Sequence, residues 1–150
     1  MKDIINIVCD EGATSRVVIG SVEENFESLL PGGTPRIIIV TDAKVHANNL
    51  AFVNAHEHIV IGQGESSKTF VKLEEVYRQL LHMGADRSTF IVGMGGGIVT
   101  DVTGFVASTY MRGVRFGFLP TTLLAQVDAS IGGKNGVNLD GYKNIIGVFN

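Results

Sequence analysis

The chain has 150 residues, 45% of them hydrophobic and nineteen of them glycine, enough for one domain with a sizeable core and too apolar for a disordered segment. Its net charge of −3 is uneven: residues 1–101 carry eight Lys/Arg against thirteen Asp/Glu (−5), and residues 102–150 carry four against two (+2). That small basic excess suits a small anion and argues against nucleic acid, which needs denser cations with aromatics between them. A lone cysteine, Cys9, excludes an internal disulfide, no signal peptide stands out, and no apolar run would span a membrane, so a cytoplasmic protein is expected.

Residues 4–9 and 15–20, β-branched at most positions, predict two strands joined as a hairpin across 10–14. Ser21, Val22, Glu23 and Glu24 read as a capping box, and Val22, Phe26, Leu29 and Leu30 follow at helical spacing until Pro31. A buried strand is predicted over 36–40, ending at Thr41-Asp42, with a helix over 43–52 after it. Asp42 either caps that helix, the safer reading, or accepts a sugar hydroxyl at the carboxyl end of a parallel strand. His56 and His58 flank Glu57 just before a strand at 59–61. Alternation puts both rings on one face, yet no third ligand lies near in sequence, so an exposed strand end is favoured over a metal clip. A polar loop at 63–68, read structurally as a serine N-cap with a flanking ion pair, leads into an amphipathic helix. Its buried stripe is Phe70, Leu73, Val76, Tyr77, Leu80 and Leu81, and Gly84 stands at its C′ position.

The stretch 90–144 organises the rest. A continuous apolar strand at 90–94 runs into Gly95-Gly96-Gly97 and then into a helix over 98–107 that is apolar nearly all round. Strand, glycine turn and helix start make either an anion site or a tight ligand-free turn. Asp101 favours the first, because a carboxylate in the first turn of an apolar helix is costly unless it holds something. A further strand at 115–120 ends in Pro120, and strands alternating with helices argue for a parallel, doubly wound sheet without repeats or linkers. The glycines match neither the dinucleotide pattern, which would need glycine at Ile98, nor the P-loop, which would need glycine at Asp128 and Ser/Thr at Asn135. Thr121 and Thr122 offer hydroxyls at a helix start; Asp128 falls in an apolar helical run, 123–131; Lys134 and Lys143, the latter next to Asn144, suit one phosphate. Residues 131–150, with glycines at 132, 133, 136, 141 and 147, are expected to be the least ordered part, or else an ordered tail held by another chain.

The runs 95–101, 107–113, 120–134 and 136–138, together with Lys143-Asn144, closely resemble 3-dehydroquinate synthase, with order and spacing matching over 63–150. The resemblance covers only the N-terminal, NAD-binding half of that family. It implies a Rossmann-like, doubly wound, mainly parallel α/β domain over 1–150, with a helical second domain, absent here, supplying the ligands of a divalent metal (zinc or cobalt). No metal ligand is assigned within this chain. The implied activity is a shikimate-pathway lyase that converts a seven-carbon keto-sugar acid phosphate (DAHP) to 3-dehydroquinate and phosphate. In that family NAD oxidises a ring hydroxyl, phosphate is eliminated, the ketone is reduced again and the ring recloses as a carbocycle. Carried over, Asp42, Gln63, Gly64, Glu65, Ser66, Ser67, Lys68, Gly96, Gly97, Ile98, Val99, Thr100, Asp101, Thr121 and Thr122 would contact the dinucleotide. Asp128, Lys134, Lys143 and Asn144 would face the substrate, the two lysines also near the cofactor, and Arg112 would meet the phosphate, from a neighbouring subunit of a homodimer. Thr100, Gln63, Lys44 and Asn135 depart from the family pattern, Thr100 adding a side chain beside the cofactor turn. Three other readings stand beside this one: a sister sugar-phosphate cyclase, a polyol dehydrogenase, or a non-catalytic nucleotide-binding module.

Overall fold

The computed structural model describes residues 3–8, 14–32 and 36–150, in two compact units, 1–33 and 34–150. In the first, β1 (Asp3–Val8) and β2 (Thr14–Ile19) pair antiparallel, with Asp3 opposite Ile19. The predicted turn residues 10–13, and Cys9, lie outside the described residues. Helix α1 (Val22–Leu29) follows and buries Phe26. The predicted capping box is not formed. Ser21 Oγ donates to Glu23 Oε2 at 2.8 Å and accepts no bond from a first-turn amide.

The second unit is built on β3 (Ile37–Asp42), β4 (Glu57–Ile61), β5 (Phe90–Gly95) and β6 (Phe116–Pro120), all parallel, in the order β4-β3-β5-β6. The predicted doubly wound sheet is what forms. From β3 the chain passes outward to β4 through α2 (Ala43–Asn48) and α3 (Leu50–Asn54), then reverses through α4 (Phe70–His82) to β5, and continues through α5 (Gly97–Thr109) to β6. Parallel crossovers are right-handed, so the reversal places the two sets of helices on opposite faces. The single helix expected over 43–52 is broken at Asn49 (φ −133°), whose Nδ2 takes the Val45 carbonyl at 2.8 Å. A side-chain amide has there replaced a helical backbone donor.

All six residues of β5 are buried, as its unbroken apolar composition requires of a strand covered on both faces. On one face Ile38, Val40, Ile59 and Ile91 pack against Leu73, Val76 and Leu80 of α4 and Val99, Val102 and Val106 of α5. The predicted stripe on α4 is narrower than its apolar residues suggest: Phe70 is 41% and Leu81 62% exposed. Leu81 sits about 100° round the helix from Leu80 and so leaves the buried face. The helix closes as anticipated at Gly84, with Ala85 N donating to Leu80 O at 2.9 Å and Gly84 N to Leu81 O at 3.0 Å, the paired bonds of a Schellman end.

Two later segments differ from expectation. Residues 131–150, expected to be the least ordered, contain an antiparallel hairpin of β7 (Lys134–Leu139) and β8 (Tyr142–Phe149). Its turn uses Asp140 (φ 49°) and Gly141 (φ 83°), the two left-handed positions a tight hairpin demands. Val137 is fully buried in the core cluster, with Ile146 and Val148 packed beside it, and this burial offsets the entropy the glycines cost. Conversely, the helical run expected at 123–131 is not a core element. It makes one wide turn of π type over Ala125–Ala129 that buries Ala125 alone, while Leu123, Leu124 and Val127 are 75%, 68% and 65% exposed.

Candidate functional site

Strand order reverses beside β3 and β5, and ligands in open α/β sheets collect outside the carboxyl ends at such a point. A cleft of about 440 Å³ opens there. Of the predicted residues it gathers Asp42, Gln63, Gly64, Gly96, Gly97, Ile98, Val99, Thr121 and Thr122, and it adds Lys44, Val45, Asn48, Asn49 and Gly62. Val45, Asn48 and Asn49 were missed although their spacing after Asp42 puts them on one helical face, a signal the sequence held. The floor is the start of α5. Gly96 occupies its N-cap position, and no side chain caps the first-turn amides, so these donors and the positive end of the helix dipole stay open to an anion. A Cβ on Gly96 would stand 3.2 Å from Thr122 Cγ2 and narrow the gap between the two turns. Thr121 N donates to Gly95 O at 2.9 Å, tying the end of β6 to the same turn.

Asp42 caps α2, its Oδ1 accepting from Lys44 N and Val45 N, both at 2.9 Å. The structural reading of this residue holds, and the side chain lines the cleft as well. Thr100 does not: it is fully buried, and its hydroxyl donates to Gly97 O at 2.9 Å. Asn135, another departure from the family pattern, is buried against Gly104, where any Cβ would collide with its amide.

A second group sits behind the loop. Lys68, only 4% exposed, donates to Asp101 Oδ2 at 2.5 Å and to Asn144 Oδ1 at 2.6 Å. Asp101 lies one residue further into α5 than expected, just past its first turn, and what it holds is this lysine. Burial pushes its carboxyl above the usual range, while Lys68 and the Gly136 amide pull the other way. The loop's ion pair therefore exists, but no serine caps α4: Thr69 stands at its N-cap without a side-chain bond. Asn138, absent from the predicted site, donates from Nδ2 to Glu65 Oε1 at 2.9 Å and accepts at Oδ1 from Asn144 N at 2.9 Å. Its bond holds the Glu65 carboxyl below the usual range, with Lys68 and Lys143 adding to the effect. Glu65, Ser66, Asn138 and Lys143 share a hollow of about 290 Å³; Ser67 is buried beside Gly62.

Three predicted residues stand apart from both groups. Arg112 is exposed at φ 69°, next to Met111 at φ 50°. Asp128 is exposed, so the argument from a carboxylate buried without a partner does not apply to it, and Lys134 is exposed at the start of β7. His56 Nδ1 lies 3.0 Å from Phe52 O, His58 Nδ1 lies 3.0 Å from His56 O, and Glu57 pairs with Arg36. Among the described residues no three His, Cys, Asp or Glu side chains converge on a point that could hold a metal ion.

The profile of the 3-dehydroquinate synthase N-terminal family matches residues 58–150, well over half the chain. The chain belongs to the 3-dehydroquinate synthase family. A member from Rhodospirillum rubrum, named 3-dehydroquinate synthase, is 46% identical over 123 residues, which is 77% of this chain and 32% of that protein. The chain thus spans about a third of the length of that relative. Among solved structures, 2-deoxy-scyllo-inosose synthase complexed with carbaglucose-6-phosphate, NAD⁺ and Co²⁺ superposes with a TM-score of 0.87 at 26% identity, over 98% of this chain and 43% of that one. The 2-epi-5-epi-valiolone synthase of Streptomyces hygroscopicus, with NAD⁺ and Zn²⁺ bound, gives 0.69 at 33% identity, over 76% of this chain and 34% of that one.

Proposed function

We propose that this chain is the NAD-binding part of a 3-dehydroquinate synthase, acting on DAHP in the shikimate pathway. The observation that carries the reading is the cleft at the strand-order reversal, floored by the uncapped amides of α5 and edged by Asp42. Backbone amides at a helix start suit a pyrophosphate, and Gly96 leaves room for the close approach this needs. Both Asp42 bonds land on Oδ1, which leaves Oδ2 for ribose hydroxyls. Bound NAD would supply reversible hydride transfer at a ring carbon of the substrate. The chain's own share is positioning and charge. Lys134 and Lys143 would stabilise the departing phosphate, with Arg112 of a second copy, in a homodimer, reaching the same group. Asp128 and Asn144 would hold the substrate's ring substituents. Zinc or cobalt would be held by the remaining two thirds that the relatives possess, and the enzyme would work in the cytoplasm. Two of the similar structures are sister cyclases, but the greater identity to a dehydroquinate synthase favours that substrate.

The test is phosphate release from DAHP with NAD⁺ and metal. In a protein joining this chain to the rest of the family's length, Lys134→Ala and Lys143→Ala should each lower turnover about a hundredfold or more, and His58→Ala should change little. The 150 residues alone should release none. Steady release by them, or greater damage from His58→Ala, would overturn this assignment.

A further inference from the structure

Three of the polar groups of Asn138 are committed. Its backbone N–H donates to Lys68 O at 2.7 Å, Nδ2 donates to Glu65 Oε1, and Oδ1 accepts from Asn144 N. The orientation of the amide is dictated by its neighbours: a carboxylate can only accept and a backbone N–H can only donate. These bonds close a ring. Glu65 and Lys68 lie at and just after one short turn of the 65–68 loop; Asn138 and Asn144 lie on the two strands of the β7–β8 hairpin; Lys68 returns to Asn144 through its ammonium. Asn144 adopts φ 51°, an uncommon conformation for a side-chain-bearing residue that persists where its surroundings specify it. The bond that Asn138 receives from Asn144 N is one such constraint. The loop that begins at Gly62, Gln63 and Gly64 in the cleft is therefore fastened to the hairpin that carries Lys134, Lys143 and Asn144.

We propose that Asn138 is a positioning residue that locks the cleft-lining loop 62–68 to the substrate-facing hairpin, its side-chain amide setting the two halves of the site in register alongside the Lys68–Asn144 bond. The inference rests on the functional reading above for what the two halves bind, but the lock itself is a property of the chain. No other side chain meets its demands. Alanine severs both bonds, glutamine is one methylene too long for this spacing, and aspartate sets a second carboxylate against Glu65. The charged groups facing Glu65 are Lys68 and Lys143, with Asp101 beyond Lys68, and these cations only partly offset that repulsion. One carboxyl of such a pair is forced up in pKa. When it takes a proton, the O–H can donate to its neighbour and the bridge is restored.

Two measurements decide it, on the full chain. Amide hydrogen exchange without ligand should show Asn138→Ala exchanging about tenfold faster in both 62–68 and 142–146, while β3 and β5 stay protected. Acceleration in the hairpin alone would sink the proposal. NAD⁺ titration should show about tenfold weaker binding for Asn138→Ala at every pH. Asn138→Asp should be equally weak at about pH 7 and regain affinity toward about pH 5, where one carboxyl of the pair is protonated; a flat profile like that of the alanine variant overturns the lock. Recovery within a single protein also separates positioning from misfolding. If the wild-type chain binds no NAD⁺, the functional reading fails, and exchange still decides the lock.

Discussion

At the scale of single residues, Lys68 is the side chain whose removal should cost most. It is almost wholly buried and holds both Asp101 and Asn144. Removing one member of a buried ion pair leaves an uncompensated charge, worth roughly 3–5 kcal/mol. Asp101 keeps 18% side-chain exposure, so about 3 kcal/mol is expected for Lys68→Met. The sign of its pH dependence follows from the raised carboxyl. Asp101 in the folded chain holds its proton to higher pH than the reference value of 3.8, so its stability contribution is complete below that value and is lost as pH rises through the folded pKa. Without Lys68 the carboxyl rises further. Urea denaturation should therefore show the deficit of Lys68→Met widening from acid to neutral pH; an equal deficit at both would mean that Asp101 is not the partner that matters.

At the scale of elements, the hairpin and the turn before it invert what their compositions suggest. The hairpin is rich in glycine yet docks through Val137, while the apolar turn at 123–131 is largely exposed. Val137→Ala should cost about 2 kcal/mol, as buried methyl groups are lost and a cavity remains. Val127→Ala, at 65% exposure, should stay within about 0.5 kcal/mol. Denaturation midpoints of the two variants check the contrast directly. Equal effects would mean that β7 does not pack on α5 as described.

At the scale of the molecule, the cleft is assembled from chain segments more than seventy residues apart, Asp42 to Thr122, by nothing more than parallel strand order. Its floor includes the glycine turn between β5 and α5. Gly96→Val should lower stability by about 1 kcal/mol without unfolding the chain: its φ of −82° is open to any residue, but valine is a poor N-cap and its Cβ would stand 3.2 Å from Thr122 Cγ2. The same substitution should weaken NAD⁺ binding about tenfold or more, since a side chain there would block approach to the α5 amides. Calorimetric titration beside a melting curve tests both halves of this expectation. Unchanged affinity would place the dinucleotide elsewhere.

What could be read from the chain alone was whatever depends on local pattern. The unbroken apolar run of β5, the alternation of strands with helices, the glycine turn, the cap at Asp42 and the helix end at Gly84 are all set by neighbours within a few positions, where propensity and periodicity act. The family resemblance was legible for the same reason, since its motifs are short and contiguous. Tertiary structure decided the rest. Apolar periodicity around Leu123 marks a face that avoids water but not whether another element arrives to cover it. Glycine content around 131–150 measures the entropy of ordering the segment, but not the burial of Val137 that offsets it. Lys68 meets Asp101 across 33 positions and Asn138 meets Glu65 across 73. Such partnerships have no local signature, because a hydrogen bond depends on where two groups end up in space, and only the packed sheet brings these together.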